Sequence, residues 1–137
     1  MNEHEMQNQA LQILWKLIPD HIRVDIVDRK TGVIVRRPLV WCTPNGGYRT
    51  KKSAAKIKSE GSLSGVPDLT VFNPSKGFLW IEVKMPKGVI SANQRTMLKA
   101  LHVPPFSTTC VCRSAGAIVQ EVLEFLDLSG SASENHL

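Results

Sequence analysis

Over residues 3–18, apolar positions recur at three- and four-residue steps: Met6, Ala10, Ile13, Leu14 and Leu17. That spacing predicts an amphipathic helix, which Pro19 stops. From residue 22 the period shortens to two. Arg23-Val24-Asp25-Ile26-Val27 alternates, Asp28 to Gly32 has turn chemistry, and Val33-Ile34-Val35 answers it. A further apolar run, Leu39 to Cys42, ends at Thr43-Pro44-Asn45-Gly46-Gly47, where the glycines tolerate the positive φ of a sharp turn. A short helix is expected between Tyr48 and Glu60, closed by Gly61.

Two compact apolar runs follow, Leu69-Thr70-Val71-Phe72 and Phe78-Leu79-Trp80-Ile81, separated by the polar turn Asn73 to Gly77. This predicts a β-hairpin. Beyond a loop at Met85 to Gly88, Ser91 is placed to cap a helix running through Ala92, Met97, Leu98 and Leu101. Pro104-Pro105 ends it, Thr108 to Cys112 reads as a strand, and Ala115 to Leu126 as a last amphipathic helix. Strand, helix and strand in succession from Ile81 to Cys112 form a crossover, expected to be right-handed with parallel strands. The fold class is therefore α/β, a mixed β-sheet flanked by helices. A chain of 137 residues makes one domain, assigned to residues 1–128, and the small polar residues 129–137 are expected to be a disordered tail.

Charge changes this picture moderately. Lys and Arg outnumber Asp and Glu by 17 to 12, which favours a polyanionic partner, nucleic acid being the commonest. Arg49, Lys51, Lys52, Lys56 and Lys58 cluster before Glu60, a run equally consistent with a solvated face. The three cysteines, Cys42, Cys110 and Cys112, are odd in number and accompany no zinc-type spacing, so they read as core thiols in a reducing compartment. The polar start MNEHEMQNQ is not a signal peptide, and no apolar run approaches the ~20 residues of a bilayer span, so a cytoplasmic location is expected.

The chemistry gathers at one end of the predicted hairpin. Asp68 opens its first strand, while Glu82 and Lys84 close the second and, two residues apart, share a face. Antiparallel pairing brings Asp68 next to Glu82. Two carboxylates suit a hard divalent cation, and a neighbouring ammonium suits phosphate charge or an attacking water. An isolated Glu-x-Lys at a strand edge is more often a surface salt bridge. On the first helix, Glu5 and Gln9 share a face that periodicity alone leaves as solvated. His4, His21, His102 and His136 pair with no nucleophile.

The combination is rarer than its parts. Pro44-Asn45-Gly46-Gly47-x-Arg49, Lys58-x-Glu60-Gly61, Gly65-Val66-Pro67-Asp68, Ile81-Glu82-Val83-Lys84 and Ser91-x-x-Gln94 occur in this order. Together they resemble the VRR-NUC branch of the PD-(D/E)XK nucleases, a branch also found as the catalytic domain of a Fanconi-associated repair nuclease. The resemblance runs from about Glu5 to Leu126. It implies that Asp68 and Glu82 bind Mg²⁺ or Mn²⁺ together with the Val83 carbonyl, and that Lys84 assists the nucleophilic water. It further implies that Gln94 and a first-helix glutamate, Glu5 with Glu3 as fallback, complete the site. Two features depart from compact members: the longer β segment at 20–38, and His102-Val103-Pro104-Pro105 where a glycine turn is usual.

The expected activity is a metal-dependent, structure-selective DNA endonuclease, resolving Holliday junctions as a homodimer in recombination, repair or phage DNA processing. The apolar segment 22–42 is the candidate interface. Arg49, Lys51, Lys52, Lys56, Lys58, Lys87 and Arg95 would hold phosphates. A monomeric flap or nicking nuclease is the alternative within this class, and a catalytically silent nucleic-acid-binding module the alternative outside it.

Overall fold

A computed structural model describes residues 1–43, 61 and 63–128. Helix α1, Glu3–Leu17, starts at the cap residue Asn2, whose side chain accepts from the Glu5 amide at 2.8 Å while Glu5 returns a carboxylate to the Asn2 amide at 3.0 Å. This reciprocal box satisfies two backbone donors that a helix start leaves open. Met6, Ala10 and Leu14, four apart, form the buried stripe. A single 3₁₀ turn at Asp20–Ile22 leads into β1, Arg23–Val27, which pairs antiparallel with β2, Ile34–Pro38.

These two strands form a ribbon separate from the main sheet. Only β3, Val40–Cys42, joins the sheet from this segment. The ribbon's apolar residues explain the separation, because Ile26, Val27, Val33, Ile34 and Val35 fall on both of its faces and no single face can be buried. Arginines tie its base to the rest of the protein. Arg23 donates to the carbonyls of Trp15 and Ile18, Arg36 pairs with Asp20 and Asp25, and Arg23 and Arg37 both lie over the Trp15 ring.

The main sheet has the order β3-β4-β5-β6, with β4 at Leu69–Asn73, β5 at Gly77–Val83 and β6 at Ser107–Cys112. The hairpin β4–β5 is antiparallel and β5–β6 is parallel, as the crossover through helix α2, Ala92–Leu101, requires. Helix α3 spans Ala115–Phe125. Strand alternation sends Leu69, Val71, Leu79, Ile81 and Val83 to one face, against Met6, Ala10 and Leu14 of α1 and Ile118 and Val122 of α3. Asp68, Thr70, Phe72, Phe78, Trp80 and Glu82 occupy the positions of the other face.

Cys112 is buried and Cys110 half-buried, in line with core thiols, whereas Cys42 is exposed at the end of the edge strand β3. Among the described residues no helix is long and apolar enough to cross a membrane. The expected helix at 48–60 and the tail at 129–137 lie outside the described residues.

Candidate active site

The site assembles where β4 begins and β5 ends. Pro67 is fully buried and delivers the chain into β4 with Asp68 at the strand entrance. The Asp68 carbonyl accepts from the Thr43 amide at 2.8 Å, which holds the residue beside the end of β3. Its carboxylate reaches across the hairpin, and Oδ2 accepts from the backbone amide of Val83 at 2.8 Å. Glu82 is the cross-strand neighbour of Asp68 when the pairing Leu69 to Ile81 is extended by one residue. Its side chain is only 2% exposed, set between Ile81 and Val83 on the central strand.

Gln94 fixes one oxygen of Glu82. Its Nε2 donates to Glu82 Oε1 at 2.9 Å, while its own Oε1 accepts from the Ser91 amide at 2.9 Å. Ser91 Oγ accepts from the Gln94 amide in return, at 3.2 Å. The Ser91-x-x-Gln94 box thus caps α2 and simultaneously aims an amide N–H at the carboxylate. Glycine makes this approach possible. Gly65 adopts φ +83°, and a Cβ there would stand 2.6 Å from the Asn93 carbonyl carbon and 2.9 Å from the Gln94 nitrogen. The loop before Asp68 and the first turn of α2 therefore touch backbone to backbone, with Asn93 Nδ2 donating to Ser64 Oγ at 3.1 Å.

Glu82 Oε2 is buried and meets no N–H or hydroxyl donor among the described residues, while the Asp68 and Glu82 carboxyls share a side-chain hydrogen bond. Burial, and then the Asp68 carboxylate, push the Glu82 carboxyl up to about 8; the Lys84 ammonium opposes them. Burial likewise raises Asp68 above the usual carboxylate range, against the Val83 amide, the hydrogen bond with the Glu82 carboxyl and the Lys84 charge, which hold it down. Two carboxyl groups this close and this dry resist ionising together.

The sequence-assigned residues separate into three groups. Asp68, Glu82, Val83, Lys84 and Gln94 meet at one place. On α1 it is Glu3 whose Oε2 accepts from the Met85 amide at 3.3 Å and whose charge acts on both carboxyls. Glu5 is exposed and spent in the cap with Asn2. The signal for this lay in the sequence, because Asn2-x-x-Glu5 is itself a capping-box pattern. Lys87 and Arg95 are exposed, on the loop after Lys84 and next to Gln94 on α2. Arg49, Lys51, Lys52, Lys56 and Lys58 lie outside the described residues.

Sequence reasoning missed Arg113. Its Nη1 donates to the carbonyls of Met85, Pro86 and Gly88, at 2.9, 3.3 and 2.8 Å, and so clasps the loop that follows Lys84. Nothing local marks an arginine after a strand for that task.

Among the described residues no three His, Cys, Asp or Glu side chains group closely enough to cage a metal ion. The donor set here is sparser and all oxygen, two carboxylates beside main chain. That suits a cation that keeps much of its own water. The buried Oε2 of Glu82, with no N–H or hydroxyl donor on it among the described residues, fits such an ion.

Comparison with known proteins agrees with this arrangement. The VRR-NUC domain family model matches residues 8–115. A solved structure described as a "VRR_NUC domain protein" superposes with a TM-score of 0.64 at 19% identity, covering 93% of this chain and 90% of that one, a likeness of fold. Comparison with curated proteins gives no match. With the family match spanning most of the chain and the carboxylate pair in place, the chain belongs to the VRR-NUC family, nucleases of the PD-(D/E)XK type.

Proposed function

We propose that this protein is a Mg²⁺- or Mn²⁺-dependent endonuclease that cuts branched DNA, resolving four-way junctions as a homodimer. The observation that carries the reading is Glu82, a carboxylate buried beside Asp68 with one oxygen tied to Gln94 and the other unpartnered. Keeping two such groups together makes sense where a divalent cation neutralises them. Asp68, Glu82 and the Val83 carbonyl would hold that ion, which supplies Lewis-acid charge for the phosphodiester. Gln94 fixes the rotamer of Glu82, and the Val83 amide fixes that of Asp68. Lys84 shares the face of Glu82; its ammonium orients the attacking water or the phosphate oxygens, where negative charge grows. Glu3 assists from α1, and Arg49, Lys51, Lys52, Lys56, Lys58, Lys87 and Arg95 grip phosphates along the substrate.

The exposed apolar ribbon β1–β2 supports a dimer. Val27, Val33 and Ile34 are each more than half exposed there, and a two-fold contact would cover them. The test is cleavage of four-way junction, flap and linear duplex DNA with Mg²⁺ or Mn²⁺, beside Asp68→Ala and Lys84→Ala. Paired symmetric nicks on the junction, a dimeric mass in solution and loss of at least 100-fold in both variants are expected. A wild type that cuts none of the three sinks the enzyme reading. Undiminished cutting by both variants sinks the site, and flap cutting by a monomer replaces the resolvase.

A further inference from the structure

Two buried side-chain polar atoms lack a hydrogen-bond partner among the described residues: Glu82 Oε2 and the hydroxyl of Thr70. They belong to one face of the sheet. Thr70 lies on β4 opposite Trp80 of β5 and opposite Trp41 of β3, and Glu82 is two residues beyond Trp80, on the diagonal from Thr70. Diagonal neighbours of a sheet stand within reach of a long side chain. Toward the other end of this face stand Phe72, Phe78 and Trp80, whose rings pack in sequence. The carboxylates lie on the diagonal from its hydroxyl, on the same face.

The chance pairing of these atoms is hard to sustain energetically. Thr70 is 1% exposed on a central position of the sheet, where valine has the same shape and no hydroxyl to desolvate. A native interior satisfies nearly all such groups, and a water held by two or three of them is the usual means. We propose that Thr70 is a positioning residue for Glu82: its hydroxyl shares one bridging water with Glu82 Oε2 and so fixes the direction in which that oxygen meets a divalent cation. Gln94 and Thr70 then hold the two oxygens of one carboxylate from opposite sides, the arrangement by which outer partners orient metal ligands.

This inference rests on the metal-dependent reading of the site, and Thr70→Val with Thr70→Ser tests it separately. Calorimetric titration with Mn²⁺ and thermal melts in chelator are measured on each full-length protein, together with kcat and KM on junction DNA. Without metal, Thr70→Val melts at the wild-type temperature or above, because a methyl replaces an unpartnered hydroxyl. Its affinity for Mn²⁺ falls about 10-fold or more and kcat falls with it, while KM for DNA holds. Thr70→Ser, which keeps the hydroxyl, restores both to within about threefold of wild type. Wild-type Mn²⁺ affinity in Thr70→Val overturns the proposal, as does a Thr70→Ser no better than Thr70→Val. A wild type that binds neither Mn²⁺ nor Mg²⁺ overturns the metal-dependent reading itself, and the role of Thr70 falls with it.

Discussion

Replacing Glu82 by glutamine leaves the shape of the site and deletes its costliest charge. Burial and the neighbouring Asp68 push the Glu82 carboxyl up to about 8, against 4.5 for an ordinary glutamate. Between those two values the folded protein binds a proton that the unfolded chain has released. Stability is therefore fully present below about pH 4.5 and is lost as pH rises through 8, with a slope of about −1.4 kcal/mol per pH unit in between. The whole window corresponds to a ceiling of roughly 5 kcal/mol. Asp68, also raised, adds loss of the same sign. Asp28, whose carboxylate is held down by the amides of Thr31 and Lys30, acts in the opposite sense but only at more acid pH.

Urea unfolding in chelator at pH 5, 6, 7, 8 and 9 reads this directly. Wild type loses several kcal/mol across the series. Glu82→Gln keeps only the share due to Asp68, and exceeds wild type in stability at pH 9. Adding Mg²⁺ or Mn²⁺ stabilises wild type more at pH 8 than at pH 5.5, since the ion competes with the proton; it does little for the variant. Wild-type stability that is flat or rises from pH 5 to 8, or a variant that retains the wild-type slope, refutes the reasoning.

Gly65→Ala should lower activity more than a stability loss accounts for. The positive φ costs about 1–2 kcal/mol, and the new Cβ pushes the first turn of α2, with Gln94, off Glu82. Activity measured well below the melting temperature, beside urea unfolding, checks this; a fully active variant refutes the contact. Glu3→Gln should cut the rate with little change in stability, whereas Glu5→Gln should cost at most about 1 kcal/mol of helix cap and leave the rate alone. The reverse pattern would return Glu5 to the site.

Much of the fold was legible because periodicity reports burial. The stripe Met6, Ala10 and Leu14, the hairpin and the parallel crossover all follow from spacing that one packed sheet face imposes. The strands of the ribbon β1–β2 were legible too, but not that they stand apart from the main sheet, since alternation reveals a strand and not which sheet it joins. That Asp68, Glu82 and Lys84 converge at one strand end could be read because a hairpin fixes its own register. Glu3, the fallback to Glu5, is the one that reaches the Met85 amide, because the helix turns about 200° in two residues and sets the pair on different sides of α1. Gly65 against Asn93, and Arg113 against Met85, Pro86 and Gly88, are contacts between distant segments that no local pattern encodes.

Those long-range contacts explain how the protein tolerates Glu82. A carboxylate on a central strand, flanked by the buried Ile81 and Val83, would ordinarily drift toward water by letting the strand end fray. Here every route is held. The strand is paired on both sides, to β4 and to β6, and the pairing with β6 continues into the Lys84 amide, which donates to the Cys112 carbonyl at 2.9 Å. Beyond it the loop is clasped by Arg113 and, through the Met85 amide, by Glu3. Across the hairpin, Asp68 is itself bonded to the Val83 amide, so moving either carboxylate breaks a second bond. The fold thus holds at fixed positions two carboxyls that resist ionising together. On the metal-dependent reading a cation would find these ligands already dehydrated and oriented, and its binding would offset the electrostatic cost that the pH series measures.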